Sequence, residues 1–144
     1  MTYAYDPNGN LTSKVDARSI TTTYTYDAQN RVTDRDYSDS TPDVDYTYDN
    51  KTHAYGKLTK VSSSVSATEF TAFDILGRVT SHKQTTDSND YTTGYTYSLS
   101  GQLLEQEYPG GRIVKKVETK QAGDSLSRSR RRSISTTQCP VKLM

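Results

Sequence analysis

Helix-building patterns are missing from this 144-residue chain: no stretch carries apolar residues at three- and four-residue spacing over several turns. Trp is absent, Phe occurs twice, and hydrophobic residues make up only 31%. The thick apolar core of an ordinary domain is therefore excluded. Long apolar runs are missing as well, so no segment reads as a transmembrane helix or a signal peptide. A single cysteine, Cys139, rules out an internal disulfide framework and a multi-cysteine metal site. The two histidines, His53 and His82, stand apart from each other and from any Ser or Cys triad pattern, and read as surface residues. With no paired carboxylates and no nucleophile constellation, the expected class is non-enzymatic, without cofactor or metal.

What the chain does have is tyrosine, 12 of them, with abundant threonine. Both residue types favour strands, which points to an all-β fold with a thin, half-polar core. The tyrosines fall in a recurring word, aromatic-x-aromatic-Asp. Tyr3, Tyr5 and Asp6 spell it whole, as do Tyr24, Tyr26 and Asp27, and Tyr46, Tyr48 and Asp49. Phe73 and Asp74 keep the second half, and Tyr95 and Tyr97 lose only the acid. From Tyr5 to Tyr26, Tyr48, Phe73 and Tyr97 the steps are 21, 22, 25 and 24 residues, the period of a repeat array.

Each copy reads as a hairpin. Residues two apart face one side of a strand, so the two aromatics share a face. Asp6-Pro7-Asn8-Gly9 then offers the residues of a type I turn, with Gly9 able to take the left-handed conformation that closes a bulged hairpin. Asn30 stands for glycine in the second copy, Gly56 follows a longer loop in the third, and Gly77 and Gly101 close the fourth and fifth. Leu or Val after each turn returns an apolar side chain to the tyrosine face. One such hairpin is marginal in water, so stacking of neighbours is expected to stabilise the array. With a thin core and two open edges, the repeat region by itself is expected to be aggregation-prone or only partly folded.

Charge divides the chain. Residues 1–114 hold ten Lys/Arg against fifteen Asp/Glu, and residues 115–144 hold eight against two. The boundary is expected there: a repeat region of about five copies at 1–114, and a basic, Ser/Arg-rich, disordered tail at 115–144. Arg128, Arg130, Arg131 and Arg132 offer weak, non-specific contact with nucleic acid at most. The repeat grammar begins at Tyr3 with no capping segment, so the region is expected to be a piece of a longer array.

The word Phe73-Asp74-Ile75-Leu76-Gly77-Arg78-Val79-Thr80, and Tyr5-Asp6-Pro7-Asn8-Gly9-Asn10-Leu11-Thr12 beside it, resembles the YD repeat of the RHS family. Tyr108-Pro109-Gly110-Gly111-Arg112 resembles a segment common between such repeats. The resemblance implies antiparallel hairpins wound as a β-spiral into a hollow shell, of which five copies make an arc. Bacterial members use the shell in secreted or surface polymorphic toxins, around a C-terminal effector; animal teneurins carry a similar shell. It implies that this chain is a structural fragment, secreted or at the cell surface, whose partners are further YD segments or an enclosed effector.

Other readings stand beside it. Tyrosine ladders bind sugars by stacking, which makes a carbohydrate- or protein-binding surface module the alternative; the plainer role for the rings is the packed stripe of each hairpin. The tail reads either as a divergent or frame-shifted end of a broken gene or, at low weight, as an effector. Asp6, Asn8 and Asn10 alternate as in a calcium loop, but Leu11 occupies the place of the turn glycine and Ala17 that of the bidentate glutamate, so they read as turn residues.

Overall fold

The computed structural model describes residues 1–116. Eleven strands and no helix make up those residues, so the all-β expectation holds. The expectations for the basic tail, including Arg128 to Arg132 and Cys139, lie outside the described residues.

Two compact units divide the chain, Met1–Tyr91 and Thr92–Met144. The first holds β1 (Thr2–Tyr5), β2 (Leu11–Val15), β3 (Thr21–Tyr26), β4 (Val32–Tyr37), β5 (Val44–Tyr48), β6 (Leu58–Ser62), β7 (Ser66–Phe73) and β8 (Val79–Thr86). Every consecutive pair among them is antiparallel, so sheet order follows sequence order. β9 (Asn89–Tyr97) leads into the second unit, where β10 (Leu103–Glu107) lies between β9 and β11 (Ile113–Lys115). Connections this short leave antiparallel neighbours as the only arrangement.

The tyrosine stripe lies in register with the apolar residue after each turn. Tyr5 pairs with Leu11, Tyr26 with Val32, Tyr48 with Leu58, Phe73 with Val79 and Tyr97 with Leu103. The stripe is half-covered rather than enclosed: Tyr24, Tyr26, Tyr46 and Tyr48 are half-buried, whereas Tyr3 and Tyr5 on the β1 edge are exposed. Among the described residues Ala54 and Phe73 are the buried apolar ones; Thr22 and Thr59 in the first unit and Thr93 in the second are buried too. Threonine suits such a sheet because its methyl packs while its hydroxyl bonds locally.

Candidate functional site

The aspartate of each word builds its turn. Asp6 Oδ1 accepts the backbone N–H groups of Asn8 and Asn10 at 2.9 and 2.8 Å, and the Asp6 carbonyl accepts the N–H of Gly9 at 3.0 Å. Asp27 repeats this toward Gln29 and Arg31, and Asp74 toward Leu76 and Arg78. The residue three after the aspartate has a positive φ: 85° at Gly9, 58° at Asn30 and 71° at Gly77. That is why glycine, or asparagine as its substitute, fills the slot.

Serine takes the place of aspartate in the fifth copy and still closes the turn, with the N–H of Gln102 on Ser98 Oγ at 3.1 Å. In the third copy the turn opens into a loop, tied by Gly56 N–H to Asp49 Oδ1 at 2.5 Å and by Asp49 N–H to the Lys57 carbonyl at 3.1 Å.

Two further turns share parts of this design: the connection from Asp16 to Ser19, which the sequence marks as an opposite turn of a meander, and the segment from Tyr108 to Arg112. Asp16 accepts from the N–H of Arg18 and Ile20, with Ser19 at φ 65°; Tyr108 to Arg112 closes with the same backbone pair. The first is led by Asp at the same offset, with serine in the left-handed slot.

Beyond each turn sits a bulge. Ala4 pairs with Ser13 and Tyr5 with Leu11, so Thr12 is the extra residue. Thr33, Thr59 and Thr80 hold the same position in copies two to four, and Leu104 in the fifth. A bulge interrupts the ladder and frees a backbone group. Threonine supplies a local partner: Thr59, fully buried, donates its hydroxyl to the Thr47 carbonyl at 2.9 Å, and Thr33 lies 2.8 Å from the Thr25 hydroxyl.

These parts meet at the seams between copies. The second tyrosine of one copy donates its hydroxyl to the first post-turn carbonyl of the copy before it: Tyr26 to Leu11 at 2.8 Å, and Tyr48 to Val32 at 3.0 Å. Burial pushes both phenols above their ordinary range; nearby Asp6 adds to the shift at Tyr26, while at Tyr48 Arg31 opposes it.

Arg31 joins its own turn to the next. Its Nε donates to Asp27 Oδ2 at 2.7 Å, its Nη1 lies 2.7 Å from Asp49 Oδ2 in an ion pair whose N–H points off the line, and its plane covers the Tyr48 ring at 4.3 Å. Asn10 does the equivalent work one seam earlier, donating to Asp6 Oδ2 at 2.9 Å and to Asn30 Oδ1 at 2.8 Å. The backbone N–H of Arg31 and then its guanidinium hold Asp27 below the usual carboxylate range, and the Arg31 side chain is the main cause at Asp49. At Asp74 burial works the other way, and the N–H and guanidinium of Arg78 outweigh it.

The third seam is built differently. Phe73 has no hydroxyl to donate and is buried instead. The long third-copy loop leans on the fourth turn, where a Cβ on Gly77 would stand 2.7 Å from Lys57 Cε and 3.1 Å from the His53 carbonyl. Lys51 in that loop pairs with Glu69 on β7 at 2.7 Å.

The residues singled out in sequence thus lie in turns and seams, and Tyr46 also lines a shallow groove with Val44 and Val61. Gly101 takes a positive φ of 89° in the fifth turn. Tyr46 faces Val61 across β5–β6, and Tyr95 faces Gln106 across β9–β10. Among the described residues no group of three or more His, Cys, Asp or Glu is placed to hold a metal. No helix among them is long and apolar enough to cross a membrane.

The family model for the RHS repeat matches residues 5–42. No curated protein sequence matches the chain. Among solved structures, TcdB2-TccC3-Cdc42 aligns at a TM-score of 0.65 and 17% identity, and TcdB2-TccC3 without hypervariable C-terminal region at 0.67 and 17%. A Tc holotoxin pore from Photorhabdus luminescens aligns at 0.64 and 16%. Each alignment covers 79% of this chain and 7% of the other, so the chain spans a small part of the length of those it matches. The RHS-repeat match spans residues 5–42, and the solved structures share the fold of the chain around it.

Proposed function

We propose that residues 1–114 form an arc of the wall of an RHS/YD-repeat shell, and that in a longer parent this wall surrounds a C-terminal effector. The observation that carries the reading is the seam. Hydroxyl, guanidinium and amide groups are used to fasten one hairpin to the next, which leaves them serving the array rather than a substrate. The role is structural and non-enzymatic, and the setting is outside the cell, as a secreted or surface protein. Fold alone does not carry function; here the use made of the tyrosines supports it.

A graft tests the proposal. Residues 1–114 replace the matched segment of a TcdB2-TccC3 chain, and the hybrid is probed by limited proteolysis and electron microscopy. A closed particle whose internal segment resists protease is the expected result. A hybrid that folds but leaves that segment open to cleavage would overturn the wall assignment.

A further inference from the structure

Among the described residues β1 pairs on one side only, with β2. Its backbone is therefore half used. The Asp6 N–H bonds inward to the Asn10 carbonyl at 2.9 Å, and backbone groups alternate in direction along a strand, so those of Tyr3 and Tyr5 point away from β2. The side chains are open on the same edge. Tyr3 and Tyr5 are 54% and 62% exposed, whereas Tyr24, Tyr26, Tyr46 and Tyr48, with strands on both sides, are half-buried.

Edge strands of soluble proteins carry guards against pairing, such as a charge, a proline or a bulge. β11, the outer strand of the second unit, carries Lys115, which reaches Glu105 at 2.7 Å. Thr2-Tyr3-Ala4-Tyr5 has no charge and no proline, and the bulge beside it places its extra residue, Thr12, on β2. The strand is also self-complementary. Set antiparallel to itself about a two-fold axis at Ala4, each Tyr3 stands opposite Tyr5 of the other copy, and their outward N–H and carbonyl groups meet. The tyrosine rings then lie on one face as cross-strand aromatic pairs. Alanine, a small side chain, occupies the axis, where a non-hydrogen-bonded pair brings side chains closest. With a net charge of +1 on the whole chain, two copies meet little long-range repulsion.

We propose that the β1 edge is an interaction surface for a second copy of this chain, joined by antiparallel β1–β1 pairing in that register. The contact is small beside the area of a stable dimer, so the association is weak and depends on concentration. It goes beyond the wall reading and does not rest on it. In a longer array a preceding hairpin would compete for the same edge.

Hydrogen exchange and sedimentation of the 144-residue chain test it, followed from about 10 μM to about 1 mM, the range of weak complexes. Outward amides are open to water in the monomer, so those of Tyr3 and Tyr5 are expected to gain protection as the dimer forms, with Ile113–Lys115 unchanged. In a mixture of isotope-labelled and unlabelled chains, a contact between the Ala4 α-protons of two copies is expected and fixes the register. Tyr3→Lys supplies the missing guard and removes an aromatic pair twice in a two-fold contact, so about tenfold weaker association is expected. Backbone spectra report whether that variant keeps the fold. Should it not, the concentration dependence of Tyr3 and Tyr5 protection in the parent chain carries the test. A monomer throughout, protection of Tyr3 and Tyr5 that is independent of concentration, a dimer protected at β11 instead, or unchanged association in a folded Tyr3→Lys would overturn the proposal.

Discussion

The Tyr48 hydroxyl donates to the Val32 carbonyl, 16 residues earlier in the chain, at 3.0 Å, and this contact joins two hairpins that share no turn. Removing it is expected to loosen the seam without disturbing either hairpin. Tyr48→Phe should cost about 1 kcal/mol, the net worth of such a bond, and Tyr26→Phe about the same. Denaturant melts measure the loss, and hydrogen exchange locates it on the strands either side of the seam. No change in both variants would remove the hydroxyls from the account.

Phe73 occupies the position of Tyr26 and Tyr48 in the fourth copy. By that correspondence a hydroxyl there would reach toward the Leu58 carbonyl. Phe73→Tyr is therefore expected to stabilise the chain by about 1 kcal/mol. The opposite sign, a loss of about 1–3 kcal/mol, is what a buried hydroxyl without an acceptor gives. The melt thus decides whether the seam geometry of the second and third copies extends to the fourth.

Gly77→Ala meets two penalties at once, a φ of 71° and a Cβ 2.7 Å from Lys57 Cε. The expected loss is about 1–2 kcal/mol, mostly from the left-handed backbone. Truncating Lys57 to alanine in the same chain relieves only the contact. A double variant as stable as the parent would show that the backbone conformation costs nothing here.

Acid and base should destabilise the array by different routes. Asp6, Asp27, Asp49 and Asp74 have folded pKa values below the ordinary 3.8. The folded state thus binds fewer protons than the unfolded one, and the stability they contribute is complete above 3.8 and is lost as pH falls through the folded values. Tyr26 and Tyr48 are raised above the ordinary 10.0. Their contribution is complete below 10.0 and is lost as pH rises through the folded values. Thermal midpoints measured across pH should form a plateau with a fall at each end, and Asp27→Asn should flatten the acid limb.

On two inner strands of the first unit a pair of carboxylates stands in register: Asp34 on β4 faces Asp45 on β5. Like charges directly opposite destabilise a sheet. Asp45→Asn is expected to add about 0.2–1 kcal/mol, read as a higher denaturation midpoint at neutral pH that vanishes in strong acid, where both carboxyls are neutral.

Much of this was legible in the chain itself. The Tyr-x-Tyr-Asp spacing gave the shared face, and Asp6 to Gly9 gave the turn, because both are rules of local backbone geometry. The seam was not legible. Nothing in the spelling of Arg31 says that it reaches Asp49, since that contact depends on how far one hairpin is displaced along its neighbour. Thr12, Thr33, Thr59 and Thr80 were visible as part of the word, but their place at the bulge appears only when the register is known.

The three seams of the first unit also differ in chemistry: amide to amide at Asn10 and Asn30, guanidinium to carboxylate at Arg31 and Asp49, and a buried ring at Phe73. Copies that share one word face the hazard of docking out of turn. A guanidinium set against an asparagine, or an amide set against a buried phenyl ring, would leave a charge or a polar group unmet. The unlike fastenings therefore work as addresses. They give each hairpin one neighbour it fits best, and keep near-identical pieces in order while the sheet assembles.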